Sequence, residues 1–209
     1  MRLFAEGLLM GLVPAFFVGP VLFTLLAASL ESGFLAGAQV ALGIAVSDVV
    51  AIGMCRAGVG PLLTQPWGQW SLELAGGLIL LVFGVVMAAR AGGPVAPVAR
   101  RSLPGRRFAA GFAVNFFNPF VFTFWIGALG GLGARADLAL GTLMPFFAGM
   151  VITILATDLA KAAAASTLHR HLSGTALAWA RRMSGVLLAG AGAWLLMTAA
   201  LGWPPGGPA

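Results

Sequence analysis

Acidic side chains are scarce in this sequence, and two of the six lie deep inside apolar segments. Asp48 falls within the apolar segment 34–57, and Asp158 falls within the apolar segment 140–162. A carboxylate in such surroundings can carry a proton or neutralise a cationic group of a ligand. Hydrogen bonding that only serves packing is the alternative role for Asp48. Lys161 lies three residues after Asp158, so a local ion pair is the alternative role for that residue.

Polar side chains also surround a proline in the segment 108–132. Asn115 and Asn118 come shortly before Pro119. Proline interrupts the hydrogen bonding of a helix, and an asparagine amide can donate to the backbone carbonyl that is released there. Because one asparagine would suffice for that repair, the pair favours a site that faces a substrate. Repair of the kink alone is the alternative that the sequence leaves open.

The first apolar segment carries helix breakers of its own, at Pro14, Gly19 and Pro20. Pro14 and Pro119 each lie about eleven residues from the start of their segments. At a rise of about 1.5 Å per residue, that depth is close to the middle of a bilayer core about 30 Å thick. The two broken segments are therefore expected to form one site. The predicted substrate-binding residues are Pro14, Gly19, Pro20, Asn115, Asn118 and Pro119, and the predicted charge-coupling residues are Asp48 and Asp158.

Metal ligands and enzyme motifs are not apparent in this sequence. His169 and His171 are two residues apart, so they point to different sides of a helix, and Cys55 has no second cysteine to pair with. No cluster of Cys, His and Asp has the spacing of metal ligands, and no phosphate-binding loop or nucleophile elbow occurs. The sequence therefore predicts no enzyme activity, no cofactor and no bound metal.

The composition indicates which class of protein contains these polar residues. Of the 209 residues, 60% are hydrophobic and 9% are charged, whereas a soluble domain has roughly 25% charged residues. A membrane-spanning helix needs about 20 apolar residues, so the composition provides for about six such helices. These proportions exclude a soluble enzyme and predict an all-α membrane protein with six transmembrane helices in the lipid bilayer. The six apolar segments are 4–28, 34–57, 69–89, 108–132, 140–162 and 184–203.

The net charge of +6 has to be interpreted by position, since it could otherwise suggest binding to nucleic acid. Five arginines lie in residues 90–107 and four basic residues lie in 161–182, between apolar segments. Basic residues of short loops concentrate on the cytoplasmic side of a membrane. We therefore expect a bacterial inner membrane protein with loops 90–107 and 163–183 in the cytoplasm, both termini outside, and no nucleic acid partner. A re-entrant first segment would instead place the N-terminus inside.

The two halves of the chain resemble each other. The first segment opens with Phe-Ala-Glu-Gly at 4–7, the fourth opens with Phe-Ala-Ala-Gly at 108–111, and the second segment of each half holds one acid. Because each half has an odd number of segments, two such halves must be inverted relative to each other, as in many secondary transporters. We expect one transmembrane domain at 1–203, made of inverted three-helix repeats at about 4–89 and 108–203, with a disordered tail at 204–209.

These motifs together resemble the lysine exporter (LysE/RhtB) family of amino-acid exporters. The resemblance covers nearly the whole chain, and the Asn-Pro segment is its most specific part. Length, the number of apolar segments and the basic loop after the third segment also agree with that family. The motifs that carry the resemblance are Gly11, Gly19-Pro20, Gly43 with Asp48, and Phe108 with Gly111, Asn115, Asn118 and Pro119.

The resemblance implies export of an amino acid or a close derivative from the cytoplasm, driven by protons or by the membrane potential. Residues 120–122 follow the Asn-Pro motif where many members have basic residues, and Ser47 stands where members often have glycine, so the substrate is less defined than the fold. A cation or metal efflux transporter of a similar six-helix fold is the alternative, although the scarcity of Cys and of membrane-embedded His argues against a soft metal. A membrane assembly factor is a third interpretation, but it has no need for a buried Asp48. The amino acid carried, the coupling ion and homo-oligomer formation stay open.

Overall fold

The computed structural model consists of helices and turns throughout the residues that it describes, which are 1–59, 65–89, 105–133, 140–169 and 174–202. This confirms the predicted all-α class for these residues. The predicted tail at 204–209 lies outside them. A 3-10 turn occupies Val13–Phe16, and a π-helical turn occupies Cys55–Val59. The helices in chain order are α1 (Arg2–Met10), α2 (Pro20–Ser32), α3 (Phe34–Met54), α4 (Pro66–Ala89), α5 (Arg106–Phe116), α6 (Pro119–Gly133), α7 (Leu140–His169) and α8 (Gly174–Leu201).

Four of these helices contain stretches long and apolar enough to cross a membrane. Two pairs of shorter helices would each add one span if the pair crosses as a unit: α1 with α2, bent by 79°, and α5 with α6, bent by 64°. The described residues therefore provide between four and six membrane spans, at the positions where the sequence predicts six, in a multi-pass membrane protein. The four continuous stretches are Phe34–Ala57, Pro66–Ala89, Leu143–Leu168 and Arg182–Leu201.

The two bends fall at the proline-containing breaks. After α1, the 3-10 turn holds Pro14, the chain is extended at Phe17 and Gly19, and α2 begins at Pro20. In the same way, α6 begins at Pro119. Proline suits the first position of a helix because it has no N–H to leave unpaired and its φ angle already fits. The sequence aligned Pro14 with Pro119 by depth, but in the structure Pro20 has the position that corresponds to Pro119.

Helices α4 and α8 pack antiparallel through glycine residues. Gly77 lies against Gly192 and Gly84 lies against Gly185, and a side chain at any of the four would overlap the backbone of the opposite helix. Near the other end of the contact, the indole of Trp70 donates a hydrogen bond to a backbone carbonyl of α8. Such close approach of backbones stabilises helix pairs in lipid, where apolar surfaces gain nothing by leaving water.

Helix α1 lies against the first half of α7, again through glycines. A side chain at Gly7 would overlap the backbone carbonyl of Phe146, and a side chain at Gly149 would overlap the carbonyl of Phe4. Gly11, one turn after Gly7, meets the next turn of α7 in the same way. The two helices therefore run in the same direction.

Helices α3 and α5 make the corresponding contact. A side chain at Gly111 would overlap the carbonyl of Val40, and a side chain at Gly43 would overlap the carbonyl of Phe108. One turn further along both helices, Asn115 contacts α3 again, so α3 and α5 also run in the same direction. The two motifs that the sequence aligns therefore make equivalent contacts, each with the middle helix of the other half.

Helices α3 and α7 run antiparallel and hold the two buried acids between them. Val40, in the first half of α3, belongs to the same buried cluster as Ala162, in the second half of α7. Cys55, at the end of α3, belongs to a second cluster with Met150 of α7, which confirms its expected place in the core. The positions between these two clusters are those of Asp48 and Asp158.

Candidate functional site

A cavity of about 540 Å³ lies beside the two helix breaks. This volume falls within the range of about 300–1,000 Å³ that is usual for small-molecule sites. Its wall combines the first break and the start of α2 with residues of α3, α7 and the α5–α6 break. Pro119, the first residue of α6, does not line the cavity. The predicted residues that line the cavity are Pro14, Gly19, Pro20, Asp48, Asn115, Asn118 and Asp158.

Asp48 links two neighbouring helices at the cavity wall through hydrogen bonds to one of its carboxylate oxygens. Its side chain is buried, and its Oδ1 atom accepts hydrogen bonds from Asn115 Nδ2 at 2.8 Å and from Trp125 Nε1 at 3.1 Å. Asn115 Nδ2 also donates to Ser47 Oγ at 3.2 Å. These bonds join α3 to both α5 and α6 across the second break. Within the described part of the chain, the other carboxylate oxygen, Oδ2, accepts no hydrogen bond.

The meeting of Asp48 with Asn115 follows from the glycine contact one turn earlier. Gly43 and Gly111 bring the backbones of α3 and α5 together, and residues four positions later on each helix return to the same face. Those residues are Ser47 and Asn115, and Asp48 is next to Ser47. Small residues at one turn therefore place polar residues in contact at the next.

The two asparagines have different structural roles. Asn118 Oδ1 accepts a hydrogen bond from the backbone N–H of Phe120 at 3.1 Å, so Asn118 caps the start of α6. The carbonyl of Asn115, which Pro119 was expected to leave unpaired, accepts a bond from the backbone N–H of Asn118 at 3.1 Å. The alternative in which an asparagine amide donates to this carbonyl is therefore not what the structure shows. Asn115 instead binds Asp48, so helix repair does not account for its side chain.

Asp158 forms the ion pair that the sequence allowed. Lys161 Nζ lies 2.9 Å from Asp158 Oδ1, and the side chains are 24% and 9% exposed. Both residues line the cavity. The pair is thus a charged part of the cavity wall rather than a solvated pair at the end of a helix.

The start of α2 also belongs to the wall. Gly19 precedes the helix and offers no side chain to cap it, and Val21 and Leu22 of its first turn line the cavity. The N–H groups of a first helical turn have no partner within the helix. They carry partial positive charge, which favours an anionic group nearby.

Several residues of the wall were not singled out from the sequence. Trp125 is fully buried and bonds to Asp48, and Phe124 packs against both Trp125 and Phe17 with ring centroids 5.1 and 6.3 Å apart. The chain has 15 Phe and 6 Trp, so no aromatic residue stands out by type. A buried indole needs a partner for its N–H, and that requirement was the one available signal.

Within the described ranges, no three His, Cys, Asp or Glu side chains come together as metal ligands. His171 lies outside the described residues, and the side chain of His169 does as well.

Comparison with known proteins agrees with this architecture. The model of the family described as LysE type translocator matches residues 12–199. "Putative amino acid efflux protein YcgF" of Bacillus subtilis (strain 168) is 28% identical over 192 residues, which cover 90% of this chain and 92% of that protein. No solved structure gives a significant match. Because the family model covers most of the sequence, this chain belongs to the LysE type translocator family.

Proposed function

We propose that this protein is a secondary transporter that exports an amino acid or a close derivative from the cytoplasm. The observation that carries the proposal is the cavity at the two helix breaks, where one carboxylate oxygen of Asp48 accepts no hydrogen bond from the described residues. An amino acid must exchange water for protein groups inside a membrane, and groups released at helix breaks can replace that water. The family and the name of the Bacillus subtilis relative support export as the direction.

The proposed driving force is the proton gradient or the membrane potential. A buried carboxylate is costly in a membrane, by about 2.5–3.5 kcal/mol on insertion scales, so its retention points to use along a transport path. Asp48 would bind a proton when the cavity is empty and an ammonium group when it is loaded. Asp158, already paired with Lys161, would contribute less to this exchange.

The proposal includes six membrane crossings, and the helix directions support them. α1 runs parallel to α7, and α7 runs antiparallel to α3, so α1 points towards the membrane face at which α3 begins. Only Gly33 separates α2 from α3, so α2 must end at that same face. The broken pair α1–α2 then starts on one side and ends on the other. The same argument applies to α5 and α6, because α5 is parallel to α3 and antiparallel to α7.

We also propose that the two halves form inverted repeats within a single transmembrane domain at 1–203. Equivalent glycine contacts of α1 with α7 and of α5 with α3 support this symmetry. The acids depart from it. Asp48 lies five residues after Gly43, whereas Asp158 lies nine residues after Gly149, which is one helical turn further. The two acids would therefore have different roles rather than one repeated role.

The orientation of the chain can be tested with reporters. The proposed topology has six spans and places the basic loops 90–107 and 163–183 in the cytoplasm of a bacterial cell. A reporter that is active only in the cytoplasm should therefore be active when it is inserted within 92–105. A periplasmic reporter should be active after Ala209 and, as a control, within 134–139. A cytoplasmic C-terminus would contradict the six-span model with both ends outside.

The transport function can be tested in cells with and without the protein. Cells loaded with labelled amino acids should release at least one of them faster when the protein is present, because the carrier adds a path that the bilayer lacks. Resistance to added metal salts is measured in parallel. Release that is unchanged for all amino acids, together with increased metal resistance, would overturn amino-acid export and favour a metal exporter.

A further inference from the structure

We propose that the substrate is a zwitterionic amino acid with an apolar side chain, bound with its ammonium at Asp48 and its carboxylate at Lys161. This inference rests on the proposed function, because it names the substrate class of the same cavity. Three features of the cavity wall support it: the number of unpaired charges, the position of the cationic groups and the apolar character of the remaining surface.

The cavity can neutralise one cationic group of a ligand. The charged residues of its wall are Asp48, Asp158 and Lys161, as far as the described residues extend. Asp158 is paired with Lys161 at 2.9 Å, so Asp48 is the carboxylate without a cation. A second cationic group, as in lysine or arginine, could reach Asp158 only beside the ammonium of Lys161, and elsewhere in the described wall it would lie against apolar side chains, so both positions are unfavourable.

The cavity wall also offers a binding position for the carboxylate of the ligand. An ammonium group has three N–H donors, and Lys161 uses one of them on Asp158. The uncapped start of α2 adds backbone N–H groups at Val21 and Leu22. One carboxylate of a ligand can therefore be satisfied. A second carboxylate, as in glutamate, would find no second cationic side chain among the described residues of the wall.

The rest of the wall is suited to an uncharged side chain. Phe17 and Phe124 pack edge to face, and Ile44 and Ile154 line the cavity between α3 and α7. Contact of such a surface with aliphatic or aromatic groups is favourable, and contact with charged groups is unfavourable. The geometry therefore favours ligands such as leucine and phenylalanine.

Protection of an introduced thiol measures binding without requiring transport. Ala15 lines the cavity outside the proposed charge contacts, and Ala15→Cys would be made together with Cys55→Ala. In the purified full-length protein, leucine and phenylalanine should slow labelling by a small maleimide at concentrations about tenfold or more below those needed for lysine or glutamate. Val49→Cys in the same background is the control, because Val49 is exposed on α3 away from the cavity. Its labelling should not respond to any amino acid.

A charge-balanced variant tests the orientation of the ligand. Asp158→Asn with Lys161→Met removes the ion pair without leaving an unpaired charge. Leucine should protect better than 3-methylbutylamine, which is leucine without its carboxylate, in the starting protein. In the variant this preference should disappear or reverse, because the carboxylate of leucine has lost its partner whereas 3-methylbutylamine buries no carboxylate. An unchanged preference for leucine in the variant would overturn the assignment of Lys161.

The remaining outcomes separate the inference from the function on which it rests. If lysine or glutamate protects as well as leucine, the proposed substrate class is wrong, while amino-acid export stands. If no amino acid protects the thiol and none is released by cells, the proposed function itself fails.

Discussion

Replacing Asp48 by asparagine is expected to lower export at least about thirtyfold while the protein still inserts and folds. Asparagine keeps an Oδ1 atom that can accept the bonds from Asn115 and Trp125, so the packing of α3 against α5 and α6 is preserved. The variant loses the negative charge. Removing one partner of a buried charged contact costs about 2 kcal/mol or more, and about 1.4 kcal/mol corresponds to tenfold.

Glu73→Gln is the matched control for this experiment. It also removes one acid, but from α4 and outside the cavity wall, so export should be unchanged. Reconstituted vesicles distinguish the two roles of Asp48. Loss of both pH-driven export and substrate exchange is expected if Asp48 binds the ammonium, whereas retained exchange would assign it to the proton alone. Normal export by Asp48→Asn would show that Asp48 serves packing only.

Replacing Gly84 by valine is expected to lower the melting temperature of the detergent-purified protein by roughly 6–12 °C. A side chain at Gly84 would overlap the backbone of Gly185 and Ala189 in α8, so the two helices would have to separate. Overpacking costs up to about 3 kcal/mol where side chains can adjust. The cost should reach that limit here because backbone atoms cannot adjust. In a chain of this size, about 1 kcal/mol corresponds to roughly 2–4 °C.

Gly190→Val provides the comparison within α8. An added side chain at Gly190 would meet open space, so this variant should melt at nearly the same temperature as the starting protein. Melting is measured by loss of the monodisperse peak in size-exclusion chromatography after heating. Equal melting temperatures for the two variants would contradict the close packing of α4 with α8.

Much of the fold could be predicted because membrane helices have a direct sequence signal. About 20 apolar residues between polar connections define a span, and the described spans overlap the predicted segments, although the stretch Leu143–Leu168 extends past the predicted end at 162. The correspondence between the two breaks could not be predicted by counting residues. The first break contains an additional 3-10 turn at Val13–Phe16, so Pro20 rather than Pro14 starts the second half-helix. The number of residues between the start of a segment and its proline cannot reveal such an additional turn.

The candidate site was predictable where a polar residue is costly in its surroundings. Asp48, Asn115 and Asn118 stood out because they interrupt apolar segments, and they line one cavity. Their individual bonds were not predictable, since the partner of Asn115 lies 67 positions away in the sequence. Trp125 could not be singled out among the six tryptophans, because the indole N–H has a specific partner only once burial brings it to Asp48.

The glycine contacts divide the cavity wall into two units. Backbone against backbone, α3 is joined to α5, and α1 is joined to α7. Asp48 with Asn115 belongs to the first unit, and Asp158 with Lys161 belongs to the second. A ligand that bridges Asp48 and Lys161 would therefore crosslink the two units, between which the described residues make apolar contacts but no ion pair. The occupied carrier would be the more compact state, and its change in radius would report loading directly.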